Sequence, residues 1–297
     1  MNEPGLPEGF DKRLTPARPD IAAAHLRGKV NALHFVDGRS ERIVAGVADM
    51  RGEPSPGASL STQALRGECV QVYEIEEGWA WCQLEADGYV GYVPAAALAS
   101  SSAPPTHRVR ELSTFLYPGP SMKLPVAAVL PLNSRLAITA IEGNFARVED
   151  EGFVWASHIE PLDHAEDDFV AVAERFVGVP YLWGGKTAHG IDCSGLVQTA
   201  LDAAGISVPR DTDMQEAAIG TRVASGDALA GEPGGWNVSL QRGDLVFWSG
   251  HVGIMRDPHT LLHANGHHML VASEPLATAV ARIAANSFGA VTSIRRL

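Results

Sequence analysis

Cysteine is scarce in this sequence, which contains three in 297 residues: Cys69, Cys82 and Cys193. Three scattered thiols are too few for a disulfide framework, so we expect a reducing compartment. Cys69 and Cys82 could face each other on neighbouring strands. Because free cysteine commonly packs as a small core residue, we expect buried free thiols instead.

Positive charge is also in short supply. Lys and Arg number 23 against 35 Asp and Glu, no run of basic residues occurs, and the formal net charge is −12. Binding to a phosphate backbone depends on clustered positive charge. The composition therefore argues against a nucleic-acid partner.

Long apolar runs are missing as well. No stretch approaches the roughly 18 apolar residues of a membrane span. The first twenty residues, rich in Pro, Glu and Gly, lack a basic region followed by an apolar one. We therefore expect no membrane partner, no secretory leader and a cytoplasmic location. With 45% hydrophobic residues, the chain can still bury a substantial core in two or three domains.

The first part of the chain changes from a tail to strand-like runs. Residues 1–40 predict a tail and a short helix, which begins after the capping residue Asp20 and ends before Gly28. Short apolar runs separated by Pro- and Gly-rich turns then predict a small antiparallel barrel over residues 41–100.

The pattern of this barrel recurs at an offset of about 65 residues. The matching pairs are Met50–Ser55 with Leu116–Ser121, Glu77–Trp81 with Gly143–Arg147, and Asp87–Tyr92 with Glu151–Trp155. A loop, an aromatic strand and a Gly-aromatic strand repeated in one order favour duplication over chance. We expect a second barrel over residues 101–162, joined to the first by the polar, Pro-rich segment 100–106.

Residues 163–297 have a different pattern, typical of an α+β fold. Helical spacing covers 167–177, and a second helix begins near Cys193 and ends at Gly205. A polar, glycine-rich loop at about 220–240 separates these helices from the strand-like runs, which lie at 245–248, 251–255, 261–264, 269–272 and 291–295. A thiol helix followed by an antiparallel sheet also matches the layout of papain-like folds.

Cys193 is the candidate nucleophile. It lies in the first turn of its helix, where unpaired amide hydrogens and the helix dipole favour an anion. This position can lower the pKa of a thiol from about 8.5 towards neutrality. Cys193 then needs a base that takes its proton and returns it to the leaving group.

His251 and His263 are the candidate partners of the thiol. A hairpin centred on Asp257 would place them directly opposite each other, with Cβ atoms about 5 Å apart, while a shift by one residue would separate their faces. Other histidines, including His25, His34, His107 and His158, fit ordinary packing or surface roles. A zinc site with His263, His267 and His268 is the alternative, but no second cysteine or aligned carboxylate completes a usual ligand set, so we expect no metal.

Four blocks of this segment resemble the signature of the NlpC/P60 family of cell-wall cysteine peptidases. They are Asp192–Gly195, Gly243–Phe247, His251–Ile254 and Leu262–Ala264. The resemblance covers about 165–297 and implies a papain-like cysteine peptidase without a cofactor. It also implies the site roles: Cys193 as nucleophile, His251 as general base, His263 as the orienting third member, and Tyr181 as a donor to the oxyanion.

The two predicted barrels resemble bacterial SH3-like domains. Together with the peptidase-like segment they resemble the members of the family that cleave the γ-D-glutamyl to diamino-acid bond of muropeptides during recycling. That resemblance implies a free N-terminal L-alanine held by an acidic pocket. The implied substrate-binding residues are Asp211, Thr212, Ser194 and Trp183, with Glu53 and Tyr89 from the first barrel.

Several alternatives stay open at this point. Glu53 can equally be a solvated turn residue, and the barrel aromatics can simply fill cores. The chain could be a non-catalytic peptidoglycan-binding protein, or a thiol acyltransferase or amidase on the same fold. The sequence carries no signal for the oligomeric state, for the choice between meso-diaminopimelate and lysine, or for the roles of the second barrel and the 220–240 loop.

Overall fold

The computed structural model describes residues 7–100, 103–149, 151–229, 231 and 233–297. The chain divides into two compact units, Met1–Leu162 and Asp163–Leu297. The start of the predicted tail, residues 101–102 of the predicted linker, and residues 230 and 232 of the predicted loop lie outside the described residues. Within the described part of the chain, no helix is long and apolar enough to cross a membrane.

The short helix predicted after Asp20 is wrong. Strand β1 (Ile21–Ala23) runs parallel to β2 (His34–Val36), and only Ala24–Leu26 forms a 3-10 turn. The Asp20 carboxylate accepts hydrogen bonds from the Arg18 guanidinium at 3.1 and 2.6 Å. Since so short a helix must also overcome the free-energy cost of nucleation, pairing with β2 prevails.

The first unit continues with a seven-stranded sheet in the order β5-β4-β8-β7-β6-β3-β9. Its strands are β3 (Arg39–Ile43), β4 (Val47–Arg51), β5 (Leu60–Leu65), β6 (Cys69–Glu76), β7 (Trp79–Leu84), β8 (Val90–Pro94) and β9 (Leu98–Ala99). The core packs Met50, Val70, Leu84 and Val93 around Cys82. Burial raises the pKa of the Cys82 thiol to about 12. All three cysteines of the chain are free, as expected, but Cys69 is half-buried rather than buried.

The remaining strands of this unit follow β9 along the chain. They are β10 (His107–Val109), β11 (Ser113–Leu116), β12 (Ala128–Pro131), β13 (Arg135–Leu136), β14 (Ile138–Glu142), β15 (Phe145–Val148), β16 (Gly152–Trp155) and β17 (Ile159–Pro161). They form three small sheets, β13-β10-β17, β11-β12 and β14-β15-β16. Val109, Leu116, Leu130 and Val154 are part of a separate core.

The second unit is an α+β fold built on a six-stranded sheet in the order β20-β25-β21-β22-β23-β24. The strands of the unit, of which the last six form this sheet, are β18 (Lys186–Thr187), β19 (Gly190–Ile191), β20 (Thr221–Ser225), β21 (Leu245–Trp248), β22 (His251–Asp257), β23 (Thr260–Asn265), β24 (Leu270–Pro275) and β25 (Val291–Arg296). Its helices are α1 (Phe169–Glu174), α2 (Cys193–Ala203), α3 (Thr212–Ala218) and α4 (Leu276–Asn286). Helix α2 packs against β22 and β23.

Part of the segment at 220–240, predicted as a loop, is ordered secondary structure. Strand β20 pairs with β25, and two 3-10 turns follow it. Trp236 is buried in the same core as Val246 and Ile283, and its indole N–H donates to the carbonyl of Gly231. This tryptophan holds the segment against the sheet because burying a large aromatic ring removes much apolar surface from water.

Candidate active site

Helix α2 begins at Cys193 because Asp192 caps it. One carboxylate oxygen of Asp192 accepts the backbone N–H of Gly195 at 2.7 Å, and the other accepts that of Gly184 at 2.7 Å. A side-chain oxygen at this position satisfies an amide that has no partner inside the helix. The predicted placement of Cys193 at the start of a helix is therefore confirmed, and the residue is 7% exposed.

Arg210 stabilises the start of helix α2 through contacts with Asp192 and Ser194. Its side chain is 1% exposed and forms a bidentate ion pair with Asp192, at 3.0 and 2.7 Å. It also donates to the Ser194 hydroxyl at 2.8 Å. A planar guanidinium matches both oxygens of a carboxylate and so fixes their orientation. Ser194, predicted to bind substrate, is therefore buried and turned towards Arg210.

His251 and His263 are brought together, as predicted. The Nε2 atom of His251 lies 2.8 Å from the Nδ1 atom of His263, and the two residues are 3% and 0% exposed. The ring of Phe288 stacks on His251 with a centroid separation of 5.2 Å and an interplanar angle of 7°. The pair is thus shielded from water on several sides.

The predicted register between the two histidines is wrong by two residues. Ile254 pairs with Leu262 and Asp257 pairs with Thr260, so the hairpin turns between Pro258 and His259 rather than at Asp257. The Asp257 carboxylate accepts the backbone N–H groups of His259 and Thr260, which fixes this turn. The histidines are diagonal rather than opposed, but a shift of two keeps them on the same face.

Glu274 joins the pair and was missed in the sequence. The Nε2 atom of His263 lies 2.8 Å from Oε1 of Glu274. Because His263 pairs with Ala272 across β23 and β24, Glu274 emerges on the same face two residues further on. The predicted last residue of this strand was 272, and extending the period-two pattern to Pro275 would have found Glu274.

The prediction that the helix start lowers the pKa of the Cys193 thiol is wrong. Burial, reinforced by the neighbouring Asp192 carboxylate, raises the pKa of Cys193 to about 11, against the backbone N–H of Val252, the hydroxyl of Thr212 and the charge of Arg210. Burial also lowers the pKa of His251 to about 3, with His263 and Arg282 acting in the same direction. At neutral pH the site therefore holds a neutral thiol and a neutral imidazole.

Tyr181 lines a cleft of about 330 Å³ together with His251, His263 and Arg282. Its phenol is half-buried, and this burial, together with the nearby Cys193, raises the pKa of the Tyr181 hydroxyl above its usual range. The hydroxyl therefore remains a proton-bearing donor, which is the form needed to stabilise a developing oxyanion. Tyr181 is anchored by its backbone, which donates to the carbonyl of Met269 and bridges to Ile191.

The other predicted binding residues have different settings. The Thr212 hydroxyl lies 3.9 Å from the Cys193 sulfur. Asp211 is half-buried at the N-cap of α3, and its carbonyl accepts the N–H of Gln215. Trp183 is 67% exposed. Gln215, which was not predicted, ties α3 to α2 by donating to the carbonyl of Ser194 at 3.0 Å.

Two predicted residues belong to the first unit. Glu53 is exposed in the turn after β4, and Tyr89 is 7% exposed and part of the core of the first barrel. These settings match the alternative roles of a solvated turn residue and a packing aromatic. The substrate contacts of both residues stay predictions.

The alternative zinc site is disfavoured by the hydrogen bonds of His263. Both of its ring nitrogens are engaged at 2.8 Å, one by His251 and the other by Glu274. A neutral imidazole needs a free lone pair to bind zinc.

Comparison with known families agrees with the two-part character of the chain. Residues 178–282 match the model described as the NlpC/P60 family, and residues 50–98 match the one described as the bacterial dipeptidyl-peptidase Sh3 domain. The chain thus carries an NlpC/P60 cysteine peptidase domain and a bacterial SH3 domain.

Two of the similar proteins come from bacilli. Over 235 residues the chain is 26% identical to a gamma-D-glutamyl-L-lysine dipeptidyl-peptidase of Bacillus cereus, covering 71% of this chain and 66% of that protein. It is 29% identical over 231 residues to a protein of the same name from Bacillus subtilis, covering 71% of each. The chain therefore spans about two thirds of the length of these relatives.

The fold is also found in a solved structure, that of an NlpC/P60 family protein from Bacillus cereus. The match has a TM-score of 0.71 at 21% identity, and covers 87% of this chain and 99% of that one. The predicted α+β, papain-like fold preceded by an SH3-like domain is thereby confirmed, and the second SH3-like barrel stays a prediction.

Proposed function

We propose that this chain, a cysteine peptidase with an NlpC/P60 domain and a bacterial SH3 domain, cleaves the γ-D-glutamyl to diamino-acid bond of muropeptides that begin with L-alanine. The observation that carries the proposal is the buried His251–His263 pair on the sheet against which the Cys193 helix packs. Both relatives are named gamma-D-glutamyl-L-lysine dipeptidyl-peptidase, and this supports the choice of bond.

In the first step of the proposed reaction, the Cys193 thiol gives its proton to Nδ1 of His251, the ring nitrogen that His263 does not occupy, as its sulfur bonds to the substrate. The sulfur attacks the γ-carbonyl carbon, and the oxyanion accepts hydrogen bonds from the Tyr181 hydroxyl and the Cys193 backbone N–H. The imidazolium then donates its proton to the leaving amine, which departs as the diamino acid or the peptide that it begins. A thioester of L-Ala-D-Glu remains on Cys193.

Water completes the cycle. His251 takes a proton from water, the hydroxide attacks the thioester carbonyl, and the thiolate leaves and recovers the proton from the imidazolium. The products are L-Ala-D-Glu, with a new γ-carboxylate, and the free enzyme. Because the pKa values of Cys193, about 11, and His251, about 3, favour the neutral pair, proton transfer accompanies the attack rather than preceding it.

Selectivity for a free amino terminus is assigned to carboxylates. We propose that Asp211 pairs with the ammonium group, that Thr212 and Trp183 contact the substrate beside Cys193, and that Glu53 also binds the substrate. A blocked amine would leave desolvated carboxylates without a counter-charge, which is unfavourable by several kcal/mol. We also propose that the chain consists of an N-terminal tail (1–40), two SH3-like barrels (41–100 and 101–162) and the peptidase domain (163–297).

Recycling of wall peptides would place the substrate in the cytoplasm. Three free thiols fit a reducing compartment. Fractionation of the source cells, with the protein tracked by antibody, tests this location, and recovery outside the cytoplasmic fraction would contradict it.

The decisive experiment compares L-Ala-γ-D-Glu-L-Lys with its N-acetylated form. We expect release of L-Ala-D-Glu from the free peptide only, and no release by Cys193→Ala. Peptidoglycan binding without turnover would favour a non-catalytic binding protein instead. Transfer of the acyl group to an added amine rather than to water would favour an acyltransferase.

A further inference from the structure

The contacts of Glu274 determine where the protons of the two histidines reside. Its Oε1 atom lies 2.8 Å from Nε2 of His263 and accepts from Nη2 of Arg282 at 2.6 Å, while Oε2 accepts from Nη1 of Arg282 at 2.9 Å. Although burial opposes ionisation, the hydrogen bond from His263 and the charge of Arg282 hold the pKa of Glu274 below its usual range. At neutral pH Glu274 is therefore a carboxylate, which can only accept hydrogen bonds.

The hydrogen on His263 follows from that charge. A carboxylate beside Nε2 of His263 requires a proton on that nitrogen. Burial lowers the pKa of His263, even though Glu274 acts in the opposite direction. The ring is therefore neutral, and its Nδ1 carries no proton.

The position of the proton on His251 follows from that on His263. Since Nδ1 of His263 can only accept, the 2.8 Å contact between the rings requires a proton on Nε2 of His251. A neutral His251 that carries its proton on Nε2 has a lone pair on Nδ1. Only this tautomer can take the proton of Cys193 through Nδ1, because Nε2 is used by His263.

Arg282 keeps Glu274 in place. It lies on α4, whose first residue directly follows β24, and binds both oxygens of the carboxylate in the fork geometry that fixes its plane. His268 also lies near Glu274, with its Nδ1 atom 4.0 Å from Oε1. The orientation of Glu274 is thus set by a partner that does not depend on the histidines.

We propose that Glu274, held by Arg282, is a positioning residue that selects the Nε2–H tautomer of His263 and thereby the Nε2–H tautomer of His251, leaving Nδ1 of His251 free to act as the base. The inference deepens the proposed function and rests on its assignment of His251 as the base. It extends the relay of three residues, Cys193, His251 and His263, to a carboxylate and a guanidinium.

The test reads the tautomers directly. Long-range proton–nitrogen correlation spectra of protein labelled with nitrogen-15 histidine distinguish Nε2–H from Nδ1–H rings, and His251→Gln and His263→Gln spectra assign the two signals. We expect Nε2–H at both positions in the unmodified protein. An Nδ1–H or a doubly protonated His263 at pH 7 would overturn the proposal, whatever the peptidase assay gives.

Two variants extend the test. Glu274→Met removes the acceptor, and we expect His263 to lose its single tautomer and kcat/KM for the free tripeptide to fall by about 10- to 100-fold. Arg282→Met leaves the carboxylate but frees it to rotate, so we expect a smaller loss in the same direction. If Glu274→Met is folded by circular dichroism and retains Nε2–H at His263, Glu274 does not select the tautomer.

Glu174→Met is the matched control. Glu174 accepts from two cationic side chains, Arg242 and Arg256, as Glu274 accepts from Arg282 and His263. Its removal therefore reproduces the loss of a doubly paired carboxylate, but we expect no change in the histidine spectra or in kcat/KM. Absence of turnover in the unmodified protein would contradict the proposed function while leaving the tautomer measurement valid, so the two failures are distinguishable.

Discussion

At the scale of single residues, the thiol of Cys193 is governed by burial rather than by its helix. Its pKa of about 11 lies above that of an ordinary thiol, and the thiolate is the reactive form. The rate of alkylation by iodoacetamide should therefore rise about tenfold per pH unit from pH 6.5 to pH 9.5 without reaching a plateau. Mass spectrometry of the peptide that contains Cys193 measures the rate, with Cys193→Ala as the blank. A plateau below pH 8 would show that the thiol pKa is lowered.

Phe288 provides a second prediction, because it covers His251 with a ring that is itself 41% exposed. Burial is the first cause of the low pKa of His251, about 3. Phe288→Ala should raise that pKa towards the ordinary value near 6.5. The acid limb of the pH profile of kcat/KM should then move to higher pH, and an NMR titration of His251 should move with it. Phe115→Ala, which removes a comparably exposed ring (45%) from the first unit, is the control and should leave both profiles unchanged.

The Arg210–Asp192 pair leads to a prediction about stability. Arg210→Met would leave the Asp192 carboxylate buried without its guanidinium, and breaking a buried pair in this way costs about 3–5 kcal/mol. Denaturant unfolding followed by circular dichroism measures the loss. Arg242→Met removes exposed ion pairs with Asp168 and Glu174 instead, and such pairs contribute roughly 0–1 kcal/mol each. Equal losses for the two variants would contradict the assigned role of Arg210.

At the scale of elements, the segment before the first barrel is held by Arg18. Its guanidinium lies 4.5 Å from the centre of the Trp81 ring and donates to the Tyr92 hydroxyl at 2.7 Å and to Glu74 at 2.5 Å. Arg18→Ala removes all three contacts, so hydrogen exchange should accelerate in β1 and β2 but not in β7. Arg39→Ala, an exposed arginine with one ion pair to Glu41, is the control. Unchanged exchange in β1 would show that backbone pairing alone holds the segment.

The elements also indicate how far sequence reasoning reaches. The start of α2 at Cys193 could be predicted, because Asp192 and the helical spacing after it are local signals. The relation of His251 to His263 depends on a turn whose centre is fixed by Asp257 accepting two amides. Such a turn shifts the register by two without altering the apolar pattern, so the shared face was predictable and the register was not.

The role of Glu274 and the pKa of Cys193 could not be predicted from the sequence, for two different reasons. Glu274 lies beyond the end predicted for its strand, and its partner Arg282 comes from α4, a helix that the sequence analysis did not identify. The pKa depends on how much of the protein covers the sulfur. Burial of that kind results from the packing of α2 against β22 and β23, and no local pattern reports it.

At the scale of the whole molecule, the proposed function gives Glu53 of the first unit a part in substrate binding. Glu53 lies in an exposed turn, a setting that fits both a solvated surface residue and a residue that binds a cationic group of the substrate. If Glu53 binds the substrate ammonium, Glu53→Gln should raise KM for L-Ala-γ-D-Glu-L-Lys by about tenfold, equivalent to about 1.4 kcal/mol. The value of kcat should change little, because the reacting bond is elsewhere.

Glu77→Gln is the matched control for this prediction. Glu77 is an exposed turn residue of the same barrel, so its substitution removes the same charge from the same unit. Uniform electrostatic attraction by the acidic chain would make both variants weaken binding equally, and the loss would shrink in salt. A loss confined to Glu53→Gln would assign the ammonium pocket to this carboxylate. Identical KM values for both variants and the unmodified protein would leave amine selectivity to Asp211 within the peptidase domain.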